Sequence, residues 1–152
     1  MSTMTEQATQ VYAVFIRATP EQVWDAITKP EFTTKYFHGT KIESTFEPGT
    51  PYLSVAGSDT VVDGEILESD PPRTLKHTWR ALWDPETAAE PHSRVTWEIE
   101  PQEGGVTKLT VTHDQLEAAP KTAESVAGGW EYVLSGLKTV LETGEPLSTQ
   151  GM

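Results

Sequence analysis

A chain of 152 residues suits one domain, and at that size folding buries about 68–70% of the unfolded surface, enough for a substantial core. Lys and Arg number 11 against 23 Asp and Glu, a net charge of −12, which excludes a protein that grips nucleic-acid phosphates with surplus cations. Cysteine is absent, so disulfides, thiolate nucleophiles and cysteine-ligated zinc are excluded together.

The first element is a strand at Val11–Arg17, rich in β-branched and aromatic residues. It stops at Thr19-Pro20-Glu21-Gln22, where Thr19 can cap a helix, Pro20 suits the first helical position and Gln22 can reach back as a capping box. That helix runs to about Thr28, with Val23, Trp24 and Ile27 as its apolar face, and Pro30 breaks it by disfavouring helical geometry at Lys29. A second short helix, Glu31–Phe37, is expected to end at Gly39. Strands follow at Lys41–Phe46, Pro51–Ala56, Thr60–Glu68, Arg73–Ala81, Ser93–Pro101 and Val106–His113, each bounded by Gly, Pro or Asp signals.

Several strands alternate cleanly. Val95, Trp97 and Ile99 share one face; so do Leu109, Val111 and His113, and so do Leu75, His77 and Trp79. Such alternation predicts antiparallel strands with one wet and one covered face. The cover is predicted at the end of the chain. From about Thr122 to Glu142, Val126, Trp130, Val133, Leu137 and Val140 recur at helical spacing, and Gly144 and Pro146 mark the stop. A helix of that length, about 30 Å, crosses a sheet of this width. Gly128 and Gly129 inside it leave an alternative: the helix begins near Gly129 after a loop. Antiparallel strands closed by one long helix indicate an α+β fold. No internal repeat or linker divides the chain, so a single domain over 9–148 is expected, with flexible tails at 1–8 and 149–152.

Thr19-Pro20-Glu21-Gln22-Val23-Trp24-Asp25-Ala26-Ile27-Thr28 is similar to the opening signature of the START-like (helix-grip, SRPBCC) superfamily, in its branch of activator of heat-shock-protein-90 ATPase homologues. Pro71-Pro72-Arg73-Thr74-Leu75-Lys76-His77-Thr78-Trp79, Leu109-Thr110-Val111-Thr112-His113-Asp114 and Gly128-Gly129-Trp130 with Leu134 and Leu137 resemble its later signatures, in the right order. The resemblance implies a helix-grip fold: a curved antiparallel sheet of about six to seven strands wrapped round a long C-terminal helix, with two short helices after the first strand. A hydrophobic cavity often lies between sheet and helix. The branch name also implies a stress-response setting and a protein partner. In the chaperone activator, however, stimulation depends heavily on a separate N-terminal domain, and only ten residues precede the first strand at Val11 here. Substantial stimulation of a heat-shock-protein-90 ATPase is therefore not expected. Superfamily relatives bind lipids or aromatic compounds, and a few cyclise polyketides.

The residues that could form a site are those expected on the covered face: His77, Trp79, Trp97, Val111, His113, Gly129, Trp130 and Val133. Tryptophans there either pack as core or wall a pocket for an apolar or aromatic molecule. The histidines are either satisfied by groups such as Thr112 and Ser93, or they hydrogen-bond a ligand, serving as counter-charge to a ligand acid below about pH 6.5. A three-residue loop Gln102-Glu103-Gly104, with Gly104 left-handed, would set Trp97 opposite Leu109, Val95 opposite Val111 and His113 opposite Ser93. No metal site is expected, since His38, His77, His92 and His113 show no ligand spacing. No cofactor is expected either, for no phosphate-cradling glycine loop exists, and no serine lies in a nucleophile elbow. Asp59, Asp63, Glu65, Glu68 and Asp70 read as a solvated face. No basic stretch precedes an apolar one at the start, and the longest apolar run, Val11–Ile16, is far short of the about 20 residues of a membrane span. A soluble cytoplasmic protein, monomer or homodimer, without a membrane partner, is expected. The first functional reading is binding of an apolar or aromatic small molecule without established catalysis. The alternatives are a co-chaperone-like or regulatory interaction module, and an enzyme of cyclase or hydrolase type.

Overall fold

The computed structural model describes residues 9–147; the expected tails at 1–8 and 149–152, with Ser148, lie outside them. Strand β1 (Gln10–Ile16) leads into helix α1 (Pro20–Thr28), whose start is the capping box expected from the sequence. The Gln22 backbone N–H donates to Thr19 Oγ1 (3.1 Å), and the Thr19 N–H donates to Gln22 Oε1 (2.8 Å). Lys29 is forced into extended geometry before Pro30, so α2 (Pro30–Tyr36) starts afresh at an angle. Tyr36 is buried, and its hydroxyl donates to Ala26 O (2.7 Å), tying α2 to α1.

The remaining elements are β2 (Lys41–Glu43), β3 (Pro51–Ala56), β4 (Asp59–Asp70), β5 (Thr74–Ala81), α3 (Pro85–Ala88), β6 (Ser93–Pro101), β7 (Thr107–Asp114), α4 (Pro120–Val126) and α5 (Gly129–Thr143). The strands form one seven-stranded antiparallel sheet in the order β1-β7-β6-β5-β4-β3-β2. Helix α5 packs on its inner face, with Trp130, Val133, Leu134, Leu137 and Val140 buried, so the α+β helix-grip architecture is present. Trp97 (1% exposed) and Val133 (3%) both lie in the single large core. Gly64 is required where β4 runs beside β5, because a Cβ there would stand 1.9 Å from Thr78 O.

Three expectations need correction. Of the two readings of the last helix, the start near Gly129 holds and the unbroken helix over Thr122–Glu142 does not: Ala127 is extended, Gly128, at φ 81°, turns the chain left-handed before α5, and the segment before the break is itself the helix α4. The reason is local, since glycine adopts that geometry without a Cβ penalty. The β6–β7 hairpin is displaced by two residues: Trp97 pairs with Val111, Ile99 with Leu109 and Val95 with His113. The loop residues are Glu103-Gly104-Gly105, closed by Gln102 N–H to Val106 O (2.7 Å), with both glycines at φ 79°. Finally, β2 ends at Glu43 and not at Phe46, which itself sits at φ 61°. The short helix α3, within the β5–β6 connection, was not foreseen.

At the edge of the sheet, β1 is held by α5. Lys138 Nζ donates to Phe15 O (2.7 Å), the Arg17 N–H donates to Glu142 Oε2 (2.8 Å), and Lys138 and Glu142 pair with each other at 2.8 Å.

Candidate functional site

Alternation along β5, β6 and β7 aims His77, Trp79, Trp97, Val111 and His113 inward, and α5 brings Trp130 down onto them. The indoles and imidazoles join into two hydrogen-bonded chains. Trp97 Nε1 donates to His77 Nε2 (3.0 Å), which leaves Nδ1 as the protonated nitrogen, facing Thr78 O at 2.9 Å. Trp130 Nε1 donates to His113 Nδ1 (3.0 Å). His113 Nε2 therefore carries its proton towards Ser93 Oγ (2.7 Å), and Ser93 passes its own to Trp79 O (3.0 Å). Tyr52 from β3 stacks on His77 with centroids 3.7 Å apart. Both rings are thus neutral and saturated. Burial pushes His77 down to about 4, against a smaller upward pull from the Thr78 carbonyl. It pushes His113 down to about 3, helped by His77 and opposed by Asp114. The Ser93 partnership anticipated for His113 is present despite the register difference, and Trp97 and Trp130 supply bonds that the strand pattern did not announce.

Beside this lattice a cavity of about 410 Å³ opens between α2, α4, the start of α5 and one end of the sheet. That volume lies in the range of small-molecule sites. Its walls include Trp79, Trp130, Val133, Val62 and Phe37, and Trp83, 49% exposed, stands at its lip. Small side chains on the inner face of β3, Ser54 and Ala56, leave the space. A bulge after Ser54 sets Val62 opposite Ser54 and Thr60 opposite Val55, so both Val61 and Val62 reach the lining. The polar members are His38, Thr40, Ser54 and Ser125, and no Lys, Arg, Asp or Glu lines the cavity. His38 owes its place to a left-handed backbone (φ 55°) directly after α2.

The far wall is pinned by Glu90. Its carboxylate accepts the Lys121 N–H (2.9 Å), the Thr122 N–H (2.8 Å) and the Thr122 hydroxyl (2.8 Å), capping α4 from the β5–β6 connection. Ala119, at the N-cap position, makes no such side-chain bond.

Of the residues singled out from sequence, Trp79, Gly129, Trp130 and Val133 line the cavity. His77, Trp97, Val111 and His113 do not: they are buried behind it, and the ring nitrogens of the three that have them are bonded to Thr78 O, Ser93, Trp130 and one another. A charged histidine facing a ligand acid is therefore not what the geometry provides. Ser54, Ala56, Phe37, His38, Thr40 and Trp83 were missed. The one readable signal was the run of small residues at alternate positions of β3. Among the described residues no cluster of three or more His, Asp or Glu could hold a metal ion, and no helix is long and apolar enough to cross a membrane.

The sequence model of the family described as "Activator of Hsp90 ATPase homolog 1-like protein" matches residues 17–142. No curated protein matches the chain. Solved structures share the fold. An HSP90 activator from Plasmodium falciparum is 21% identical, with a TM-score of 0.72 over 89% of this chain and 96% of its own. The Aha1 dimer from Colwellia psychrerythraea is 18% identical, with a TM-score of 0.71 over 90% and 97%. DynU16, a protein in the dynemicin biosynthetic locus, is 22% identical, with a TM-score of 0.75 over 91% of this chain and 49% of that one.

Proposed function

This chain belongs to the Activator of Hsp90 ATPase homolog 1-like family, within the START-like superfamily, and on that premise we propose that it binds a small, mainly apolar, aromatic molecule between the sheet and α4–α5. One observation carries the reading: a cavity of about 410 Å³ whose walls are mostly indole, phenyl and aliphatic groups, with no Lys, Arg, Asp or Glu among them. Binding there is driven by removal of apolar surface from water, with a few polar groups fixing orientation. DynU16 in a biosynthetic locus is a similar fold in a small-molecule setting. The test is native mass spectrometry of the protein purified from its own cells, followed by thermal unfolding with the released compound. A co-purifying molecule that raises the melting temperature with concentration supports the reading. An empty protein whose melting temperature no panel of aromatic compounds moves would count against it.

A second reading, a protein partner, is favoured by Val11 (57% exposed) and Phe15 (54%), which stand outward on β1. The HSP90 activator and the Aha1 dimer among the structural neighbours point the same way. Sedimentation of the pure chain and a heat-shock-protein-90 ATPase assay separate it from the first. Self-association, or stoichiometric stimulation, would favour the partner.

A further inference from the structure

The cavity's polar groups differ in what they still have to offer. Thr40 spends its hydroxyl proton on Phe37 O (2.7 Å). His38 and Ser125 are exposed at the surface, where water serves them. Ser54 is different. It is 4% exposed, it lines the cavity, and among the described residues its hydroxyl has no hydrogen-bond partner. Its oxygen opens onto the cavity and is not sealed by protein, so a polar group of a bound molecule can reach it and replace the water that otherwise serves it. Its position is also fixed: β3 holds it between Ile42 of β2 and Val62 of β4, immediately before the bulge.

We propose that Ser54 is the specificity-determining residue of the cavity, and that its ligand is an uncharged, flat ring system carrying a hydroxyl or carbonyl directed at β3. This rests on the ligand-binding reading above. A serine hydroxyl both donates and accepts, so it pairs with either group. Trp79 from β5 and Trp130 from α5, with centroids 6.5 Å apart, supply ring walls. An anionic ligand is disfavoured at this depth, because the lining carries no Lys or Arg and a carboxylate would lose its hydration uncompensated. His77 and His113 cannot serve as the polar anchor, since both nitrogens of each are already engaged.

Calorimetric titration with 2-naphthol, naphthalene and 2-naphthoate tests this in the wild-type chain and in Ser54→Ala and Ser54→Thr. In wild type, 2-naphthol binds about three- to tenfold more tightly than naphthalene, the ratio of one net hydrogen bond. 2-Naphthoate binds about tenfold more weakly than 2-naphthol. Ser54→Ala brings the naphthol-to-naphthalene ratio to about one without lowering the melting temperature of the free protein, and Ser54→Thr keeps the ratio. An unchanged ratio in Ser54→Ala, or equal binding of both probes by wild type, overturns the role of Ser54 while leaving the cavity reading intact. Binding of 2-naphthoate as tight as that of 2-naphthol overturns the uncharged ligand class. No heat with any of the three probes at millimolar concentration overturns the cavity reading itself.

Discussion

The inner face of the sheet is built twice over from the same antiparallel ladder, with opposite results. Across β5, β6 and β7 its alternate positions carry His77, Trp97, Val111 and His113, which close against α5. At the end of β3 and the start of β4 those positions carry Ser54, Ala56 and Val62, and a cavity remains. Both regions are antiparallel ladder, but only the open end carries the bulge after Ser54, so side-chain volume together with that bulge decides where the grip closes. Polar chemistry follows the same division. In the closed region every imidazole nitrogen has a partner, whereas the Ser54 hydroxyl at the open end has none among the described residues.

The comparison breaks most sharply at Trp97. Trp97→Ala removes a fully packed indole and leaves His77 Nε2 without its donor, which is expected to cost about 3–5 kcal/mol in urea unfolding. A loss below about 1 kcal/mol would mean that the closed region is loosely packed.

Acid acts on the same region. His77 and His113 are held neutral down to about 4 and about 3, while in the unfolded chain each titrates near 6.5. Below pH 6.5 the unfolded state binds the extra protons, so stability falls as the pH falls and is complete above that value. Between pH 7 and 5 the loss is about 2 kcal/mol for each histidine. Urea midpoints measured across that interval check it, and a flat profile would show that the rings are not held neutral by the fold.

A third test bears on the rigidity of the β4–β5 pairing. In Gly64→Ala the new methyl meets Thr78 O, a backbone atom that moves only with its strand. Overpacking of that kind costs about 1–3 kcal/mol, read as a lowered melting temperature. The smallest effect is expected at the cavity lip. Trp83→Ala gives up one edge contact with Trp79 at 5.7 Å and costs about 1 kcal/mol or less, while ligand affinity drops more than stability does.

Most of the closed region was legible from sequence because strand alternation has a period of two. The hairpin register was misjudged, yet Trp97, Val111 and His113 still faced inward, since a displacement of two residues preserves the face. Either Gly104 or Gly105 can take a left-handed conformation, and the sequence holds no signal that says both do. The break between α4 and α5 was half legible: Gly128-Gly129 admitted a helix starting at Gly129, but Val126 and Trp130 keep helical spacing across the break, so periodicity alone did not decide. The cavity was the least legible feature. A pattern of apolar residues reports what is buried but not the volume left unfilled. The informative positions are Ser54 and Ala56, whose small side chains on β3 leave space that a strand pattern does not report.

The ties between α5 and β1 bear on how the molecule keeps to itself in a crowded solution. An unpaired outer strand is a template on which a neighbouring polypeptide can continue the sheet and begin an aggregate. Here Phe15 O and the Arg17 N–H are already occupied by Lys138 and Glu142. The helix that fills the grip also blunts one end of this exposed margin, directly beneath the outward phenyl ring of Phe15. Loss of this pair would be expected to appear as clouding on storage at high concentration, while the melting temperature barely changed.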